Sequence, residues 1–175
     1  KLIASSRQSG RFMVGSHWMQ ESLIRNNIDP ALIDIVAPVP ASLDHIQASP
    51  LPESPQILFV GQVIRGKGVD LLIEAIARMD RPVKTVIAGT GNHLDYCRDL
   101  VHQLQLEKVI SFAGWVDHGS LDRYYQTSTV TVVPSRWPEP FGMVGLEAMA
   151  RGRPVVAFAS GGIPDWLEHG SNGFL

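Results

Sequence analysis

The sequence predicts a doubly wound α/β fold, a Rossmann-like arrangement around a parallel sheet. From residue 56 onward, short apolar segments alternate with segments of helical character, as in repeated β-α units. The apolar segments are nearly unbroken, so both faces of the sheet should be covered by helices. Right-handed crossovers then place helices on both sides of one sheet.

The elements follow from apolar periodicity and from glycine and proline breaks. Before residue 56 we expect strands at 12–14 and 33–36, and between them a helix at 17–26 that Ser16 caps. The later strands are expected at 57–60, 84–88, 109–112, 129–133 and 154–158, and Phe174-Leu175 opens a sixth. The later helices are expected at 68–79, 93–106, 118–126, 141–151 and 164–168.

Composition limits the class of protein. The chain has 175 residues, a hydrophobic share of 45% and a net charge of −2, which fits one full globular domain with a piece of another and gives no broad basic field for nucleic acid. We find no membrane-spanning run and no signal peptide. Cys97, the single cysteine, excludes an internal disulfide, is interpreted as a packed residue, and is compatible with a cytoplasmic location. The chain starts at Lys1 without methionine and stops in mid-pattern, so we expect a fragment.

The segment after the strand at 129–133 carries the strongest chemical signal. A proline-rich turn holds Glu139, and a helix predicted to start near Phe141 offers unbonded N–H groups and a positive dipole end, which suit a phosphate. Glu147 lies six residues further, roughly 9 Å along the helix. The two carboxylates would bracket an anion site, a layout that fits a nucleotide-sugar. The alternative is a plain strand–turn–helix whose glutamates face solvent.

This segment resembles the glutamate-x7-glutamate signature of the family 4 retaining glycosyltransferases, also called glycosyl transferases group 1. The likeness is carried by Glu139-Pro140-Phe141-Gly142, Leu146-Glu147-Ala148-Met149, Gly161-Gly162-Ile163-Pro164 and Gly170-Ser171-Asn172-Gly173. It implies a two-domain B-type fold in which an acceptor domain and a donor domain face a cleft. On this basis residues 1–36 are a remnant of the acceptor domain, the proline-rich residues 37–55 are a linker, and residues 56–175 are a truncated donor domain.

The resemblance also implies the reaction. Family members transfer a sugar from a nucleoside-diphosphate-sugar to an acceptor hydroxyl with retention of configuration, and neither a cofactor nor a metal is expected. Glu139 and Lys67 are the implied catalytic residues, and Glu147 would accept hydrogen bonds from the ribose hydroxyls. The implied amides that hold the donor are those of Phe141, Gly142, Met143 and Val144. The acceptor of the full-length enzyme would be a carbohydrate or a lipid-linked molecule, and members with lipid acceptors commonly associate with a membrane surface.

A glycine-rich loop, residues 61–68, follows the strand at 57–60. Its spacing matches a P-loop, but Gly68 stands where a P-loop has a magnesium-binding hydroxyl, which argues against an ATPase or GTPase. The family pattern here is glycine-arginine, a short loop and lysine-glycine, with both cations on the donor diphosphate. Gly61 and Lys67 match, Gln62 replaces the arginine and removes a charge-assisted contact, and Arg65 is the candidate to compensate. The alternative is a solvated turn.

Two further segments are candidates for nucleotide contacts. Gly89-Thr90-Gly91 imitates the start of a dinucleotide fingerprint, but Leu94 replaces the third glycine and no acid ends the next strand, which argues against NAD. By resemblance, Gly91 faces the donor, while Trp115 and the backbone of Val116 lie beside the base. A core tryptophan is the alternative for Trp115. The histidines show no ligand-like spacing, so no metal site is predicted.

Of three other functions that would use these residues, one is disfavoured and two remain open. A glycosidase would also use two carboxylates, but its substrate carries no phosphate to occupy the predicted helix end. A nucleotide-sugar epimerase of related two-domain architecture would fit the same residues, and so would a non-catalytic nucleotide-binding or interaction domain. The base, the sugar and the acceptor depend on contacts that a sequence does not encode locally.

Overall fold

The first part of the chain forms a small unit of two parallel strands and a helix. The computed structural model describes residues 10–40 and 48–175. Strand β1 (Phe12–Val14) pairs with β2 (Ile33–Ile35), and α1 (His17–Arg25) connects them. The Ser16 hydroxyl caps α1 by accepting the N–H of Met19 at 3.2 Å, as the sequence predicts. The unit has a core of its own, built from Val14, Ile28 and Ile33.

A six-stranded parallel sheet forms the main body of the protein. Its strands are β3 (Gln56–Val60), β4 (Lys84–Ala88), β5 (Ile110–Gly114), β6 (Val130–Val133), β7 (Val155–Ala157) and β8 (Gly173–Phe174). They lie in the order β5-β4-β3-β6-β7-β8. The helices between them are α2 (Val69–Ala77), α3 (Leu94–Gln103), α4 (Leu121–Thr127) and α5 (Met143–Ala150). This arrangement confirms the predicted doubly wound α/β fold.

The central strand explains why the apolar segments are unbroken. Ile57 and Phe59 of β3 enter a core with α2 and α3, whereas Leu58 enters a second core with α4. Successive side chains of a strand point to opposite faces, so a strand that is covered on both faces needs apolar residues at every position.

Several predicted boundaries are wrong by a few residues. The predicted helix at 141–151 begins only at Met143, because Gly142 caps it in the left-handed region with φ 87°. The predicted helix at 118–126 opens with a 3₁₀ turn, His118–Ser120, before α4. The predicted helix at 164–168 is absent, and the described residues there form only a 3₁₀ turn, Ile163–Asp165.

The proposed linker is partly described, since residues 41–47 lie outside the described part of the chain. Residues 48–55 are attached to the main body through Arg153, whose side chain is almost fully buried. Its guanidinium donates to the carbonyl oxygens of Ser49 at 2.5 Å and Pro50 at 3.0 Å. Since Arg153 also donates to the carbonyl of Ser128, this end of the linker is held beside the loops that precede β6 and β7.

The order of the strands creates a crevice between two loops. From β3 the chain proceeds outward through β4 to β5, and then returns to the other side of β3 to form β6. The loops that follow β3 and β6 therefore run in opposite directions. In doubly wound folds, ligands bind at such a switch point, outside the carboxyl ends of the strands.

Candidate functional site

Two adjoining cavities open at this switch point. The β4-side cavity, about 630 Å³, lies among the loops after β3, β4 and β5. The β6-side cavity, about 490 Å³, lies between the loops after β3 and β6 and the start of α5. Both are lined by Val60, Gly61 and Gln62. The two cavities therefore form one continuous groove across the end of β3.

Most of the residues predicted from the sequence line this groove. Those that line the β4-side cavity are Gly61, Gln62, Gly91, Trp115 and Val116. Those that line the β6-side cavity are Gly61, Gln62, Lys67, Glu139, Phe141, Gly142, Met143 and Val144. Arg65 and Glu147 line neither cavity. Arg65 is exposed in the 3₁₀ turn Arg65–Lys67, outside the groove.

Glu139 forms a partly buried ion pair on the wall of the β6-side cavity. Its Oε1 lies 2.5 Å from Nζ of Lys67, and the hydroxyl of Ser135 donates to the same oxygen. The Glu139 side chain is 11% exposed and that of Lys67 is 32% exposed. The pair places opposite charges of two distant loops on one cavity wall. Partial shielding from water makes these charges interact more strongly with each other, and with an incoming charged ligand, than fully exposed charges would.

Backbone contacts hold the two loops in register. The N–H groups of Arg136 and Trp137 both donate to the carbonyl of Gly66, at 2.9 and 3.1 Å. The guanidinium of Arg136 also donates to Asp70 of α2 at 2.7 Å. Because Lys67 follows Gly66 directly, these contacts fix its position relative to Glu139.

The start of α5 forms one wall of the β6-side cavity. The N–H of Gly145 donates to Gly142 at 3.0 Å, which closes a tight first turn. The preceding amides, from Met143 and Val144, have no acceptor within a helix that begins at this point. Since both residues line the cavity, the positive end of the helix dipole borders it.

Glu147 lies one turn further along α5, against Tyr125 of α4. The Tyr125 hydroxyl donates to Oε2 of Glu147 at 3.1 Å. Burial, followed by the nearby Glu147 charge and this hydrogen bond, raises the pKa of Tyr125 above its usual value. Tyr125 therefore remains a protonated donor.

Two predicted residues of the β4-side cavity, Gly91 and Trp115, differ in their packing. A side chain at position 91 would place its Cβ 2.3 Å from the Val63 carbonyl, so Gly91 is required by the close packing of two loops as well as by the cavity. Trp115 is 75% exposed, which excludes the alternative of a core tryptophan. Its exposed indole lines the β4-side cavity.

Sequence reasoning missed several residues of the site. Those of the β4-side cavity include Thr90 and Asn92, and those of the β6-side cavity include Pro38 and Ser135. Pro38 comes from the segment after β2, so the N-terminal unit borders the groove. This unit also contacts the main body through the N–H of His17, which donates to Asp165 at 2.8 Å. Ser135 stands only four residues before Glu139, and this short separation could have indicated that its hydroxyl bonds the carboxylate.

The described residues contain no cluster of His, Cys, Asp or Glu side chains that could hold a metal ion. Cys97 is buried, and burial together with the negative charge of Asp70 raises the pKa of its thiol to about 12. The thiol is therefore unreactive near neutral pH, as expected of a packed residue. Among the helices in residues 10–40 and 48–175, none combines the length and hydropathy that a membrane crossing requires.

Comparison with known proteins shows which family the chain resembles. Residues 43–175 match the family described as Glycosyl transferases group 1. A D-inositol 3-phosphate glycosyltransferase of Thermobifida fusca is 35% identical over 189 residues, which cover 100% of this chain and 43% of that protein. An uncharacterised glycosyltransferase of Methanocaldococcus jannaschii is 42% identical over 119 residues, or 67% of this chain and 30% of that protein.

A solved structure supports the same assignment. HepE of Anabaena, crystallised in complex with UDP, superposes with a TM-score of 0.87 at 25% identity, over 99% of this chain and 51% of that chain. The chain thus spans between 30% and 51% of the length of these three proteins. The family match over residues 43–175, the similar relatives and the fold agree, and we conclude that the chain belongs to the glycosyl transferases group 1 family.

Proposed function

We propose that this chain binds a nucleoside-diphosphate-sugar and forms the donor side of a retaining glycosyltransferase. The observation that carries the proposal is the Lys67–Glu139 ion pair, which lies beside the first amides of α5 at the switch point. A cation, unbonded amides and a carboxylate on one wall suit a ligand that joins phosphates to a hydroxyl-rich sugar. HepE was solved with UDP, which supports a nucleoside diphosphate as the ligand of this chain.

The diphosphate would occupy the β6-side cavity. The amides of residues 141–144 and the dipole of α5 favour negative charge there. Among the described residues that line the two cavities, Lys67 is the one cationic side chain. Lys67 neutralises the charge that grows on the departing diphosphate, so it stabilises the transition state more than the ground state.

Glu139 would face the transferred sugar. Its carboxylate accepts hydrogen bonds from sugar hydroxyls, or stabilises positive charge at the anomeric carbon as the bond to phosphate breaks. A phosphate oxygen of the donor takes the proton of the acceptor hydroxyl, so the retaining scheme needs no protein nucleophile and no metal. Pro38 lines the same cavity, which supports approach of the acceptor from the side of the N-terminal unit.

The nucleoside would occupy the β4-side cavity. Trp115 offers an exposed indole for stacking on the base, and the backbone of Val116 offers hydrogen-bonding groups for the base edge. The ribose would then lie between the two cavities, close to Glu147. The replacement of the family's arginine by Gln62 leaves this donor site with one fewer cation, because Arg65 lies outside the groove.

Calorimetric titration tests the proposal. We expect one of UDP, GDP and ADP to bind at least about tenfold more tightly than the others, since base contacts contribute about 1–3 kcal/mol each. Lys67→Ala should weaken that binding about 100-fold, through the loss of a charge-assisted contact. Glu147→Ala should also weaken it. Lys84→Ala, at the opposite end of the strands, is the matched control and should bind normally. Equal weak binding of every nucleotide to all these proteins would contradict the proposal.

A further inference from the structure

Tyr125 is a fully buried side chain whose hydroxyl is directed at a carboxylate. The residue has no exposed surface, and its hydroxyl donates to Oε2 of Glu147 at 3.1 Å. A buried phenol normally has a hydrogen-bond partner, so this bond meets the need of Tyr125 itself. It also determines which oxygen of Glu147 is occupied.

The guanidinium of Arg151 packs over the ring of Tyr125. Its guanidinium lies 4.8 Å from the ring centroid, and its Nε donates to Asp122 at 2.8 Å. Nη1 of Arg151 donates to the backbone carbonyl of Glu147 at 2.8 Å. The Arg151 residue is only 5% exposed. Because these two hydrogen bonds hold the guanidinium against the ring, they restrict the movement of Tyr125.

The Tyr125–Glu147 pair lies about one helical turn from a residue that lines each of the two cavities. Leu121, one turn earlier on the same face of α4, lines the β4-side cavity. Val144, about one turn earlier on the same face of α5, lines the β6-side cavity, and its carbonyl lies 3.5 Å from the Tyr125 hydroxyl. Under the proposed function, a nucleoside diphosphate that spans both cavities would place its ribose where the cavities meet, near this pair.

We propose that Tyr125 is a positioning residue that orients Glu147 toward the ribose of the donor; this rests on the proposed function. The phenol occupies Oε2. Within the described residues, no side chain donates to Oε1, so that oxygen remains able to accept from a ribose hydroxyl. Tyr125 does not touch the ligand, and its effect on binding passes through Glu147.

Tyr125→Phe tests this role when ribonucleotide and deoxyribonucleotide are compared. The ligands are UDP and 2′-deoxy-UDP, or the corresponding pair for whichever base binds most tightly. Hydrogen bonds to charged groups predict that the wild-type chain prefers the ribonucleotide by about 10- to 100-fold. In Tyr125→Phe this preference should fall at least about fivefold, while the affinity for the deoxyribonucleotide stays the same. A purely structural role would weaken both ligands equally and leave the preference intact.

Two controls make the readout specific. Tyr124→Phe removes the hydroxyl of the neighbouring, half-buried tyrosine on α4 and should leave the preference unchanged. Replacing Tyr125 with 4-aminophenylalanine keeps a donor at the same ring position and should retain the wild-type preference. Loss of the preference with 4-aminophenylalanine would contradict the proposal even if Tyr125→Phe failed to fold.

Glu147→Gln separates this inference from the proposed function. If the wild-type chain and Glu147→Gln show the same preference for the ribonucleotide, the assignment of Glu147 to the ribose is wrong. If Glu147→Gln loses the preference and Tyr125→Phe keeps it, the positioning role is wrong while the proposed function stands. If both lose it and the double variant loses no more than Glu147→Gln alone, the two residues act as one unit.

Discussion

The two glutamates of the signature lie in different chemical surroundings. Glu139 comes from a loop, lines the β6-side cavity and is paired with a cation. Glu147 comes from the second turn of α5, lines neither cavity and accepts a hydrogen bond from the neutral hydroxyl of Tyr125. A carboxylate in an ion pair responds to any charge that enters the cavity, whereas a carboxylate held by a phenol is fixed in direction. Identical residues eight positions apart are thus suited to electrostatic and to geometric roles.

Removing the charge of each glutamate in turn should change nucleotide affinity in opposite directions. Glu139→Gln should raise the affinity for a nucleoside diphosphate about tenfold, because Lys67 is released from its partner and repulsion between carboxylate and phosphate disappears. Glu147→Gln should lower the same affinity about tenfold, because the ribose loses a charged acceptor. Calorimetry at one ionic strength measures both. A change of the same sign in the two variants would show that the two surroundings do not differ in function.

A second cation in the groove should strengthen diphosphate binding without changing the recognition of the ribose. Gln62→Arg adds a guanidinium to a residue that lines both cavities, so affinity for the diphosphate should rise about fivefold and become more sensitive to salt. The preference for ribonucleotide over deoxyribonucleotide should not change. Gln126→Arg, an exposed position on α4, adds the same charge away from the groove and is the matched control. An equal gain in both variants would mean that net charge alone is responsible.

A smaller effect should follow from loosening the loop that carries Glu139. Arg136→Ala leaves the buried Asp70 without the guanidinium that bonds it, which should destabilise the fold by about 1–3 kcal/mol and lower Tm by several degrees. Thermal unfolding measures this change, and Arg78→Ala, whose side chain is 81% exposed, should be nearly neutral. Binding of a nucleoside-diphosphate-sugar should weaken about threefold. An unchanged Tm would show that Arg136 does not hold the loop.

Much of the fold followed from local pattern. The run from Gln56 to Val60 is apolar at every central position, because its strand is covered on both faces. Boundaries were less predictable: Gly142 adopts a left-handed conformation and shortens α5, and the segment around Pro164 forms only a 3₁₀ turn. The start of α5 and the length of the turn at Pro164 depend on how the ends of these segments pack, and not on their periodicity.

By itself, the sequence determined the order of strands and helices, the two signature glutamates and the loop with Lys67, because each depends on residues that are close along the chain. Only the tertiary structure decided which of them meet. Lys67 and Glu139 are 72 positions apart, and Tyr125 and Glu147 are 22 apart, yet each pair is joined by a direct contact. Arg65 is two residues from Lys67 and still lies outside the groove. The reversal of strand order at β3 brings the loops together, and the direction of each side chain at that junction then decides whether it reaches a ligand.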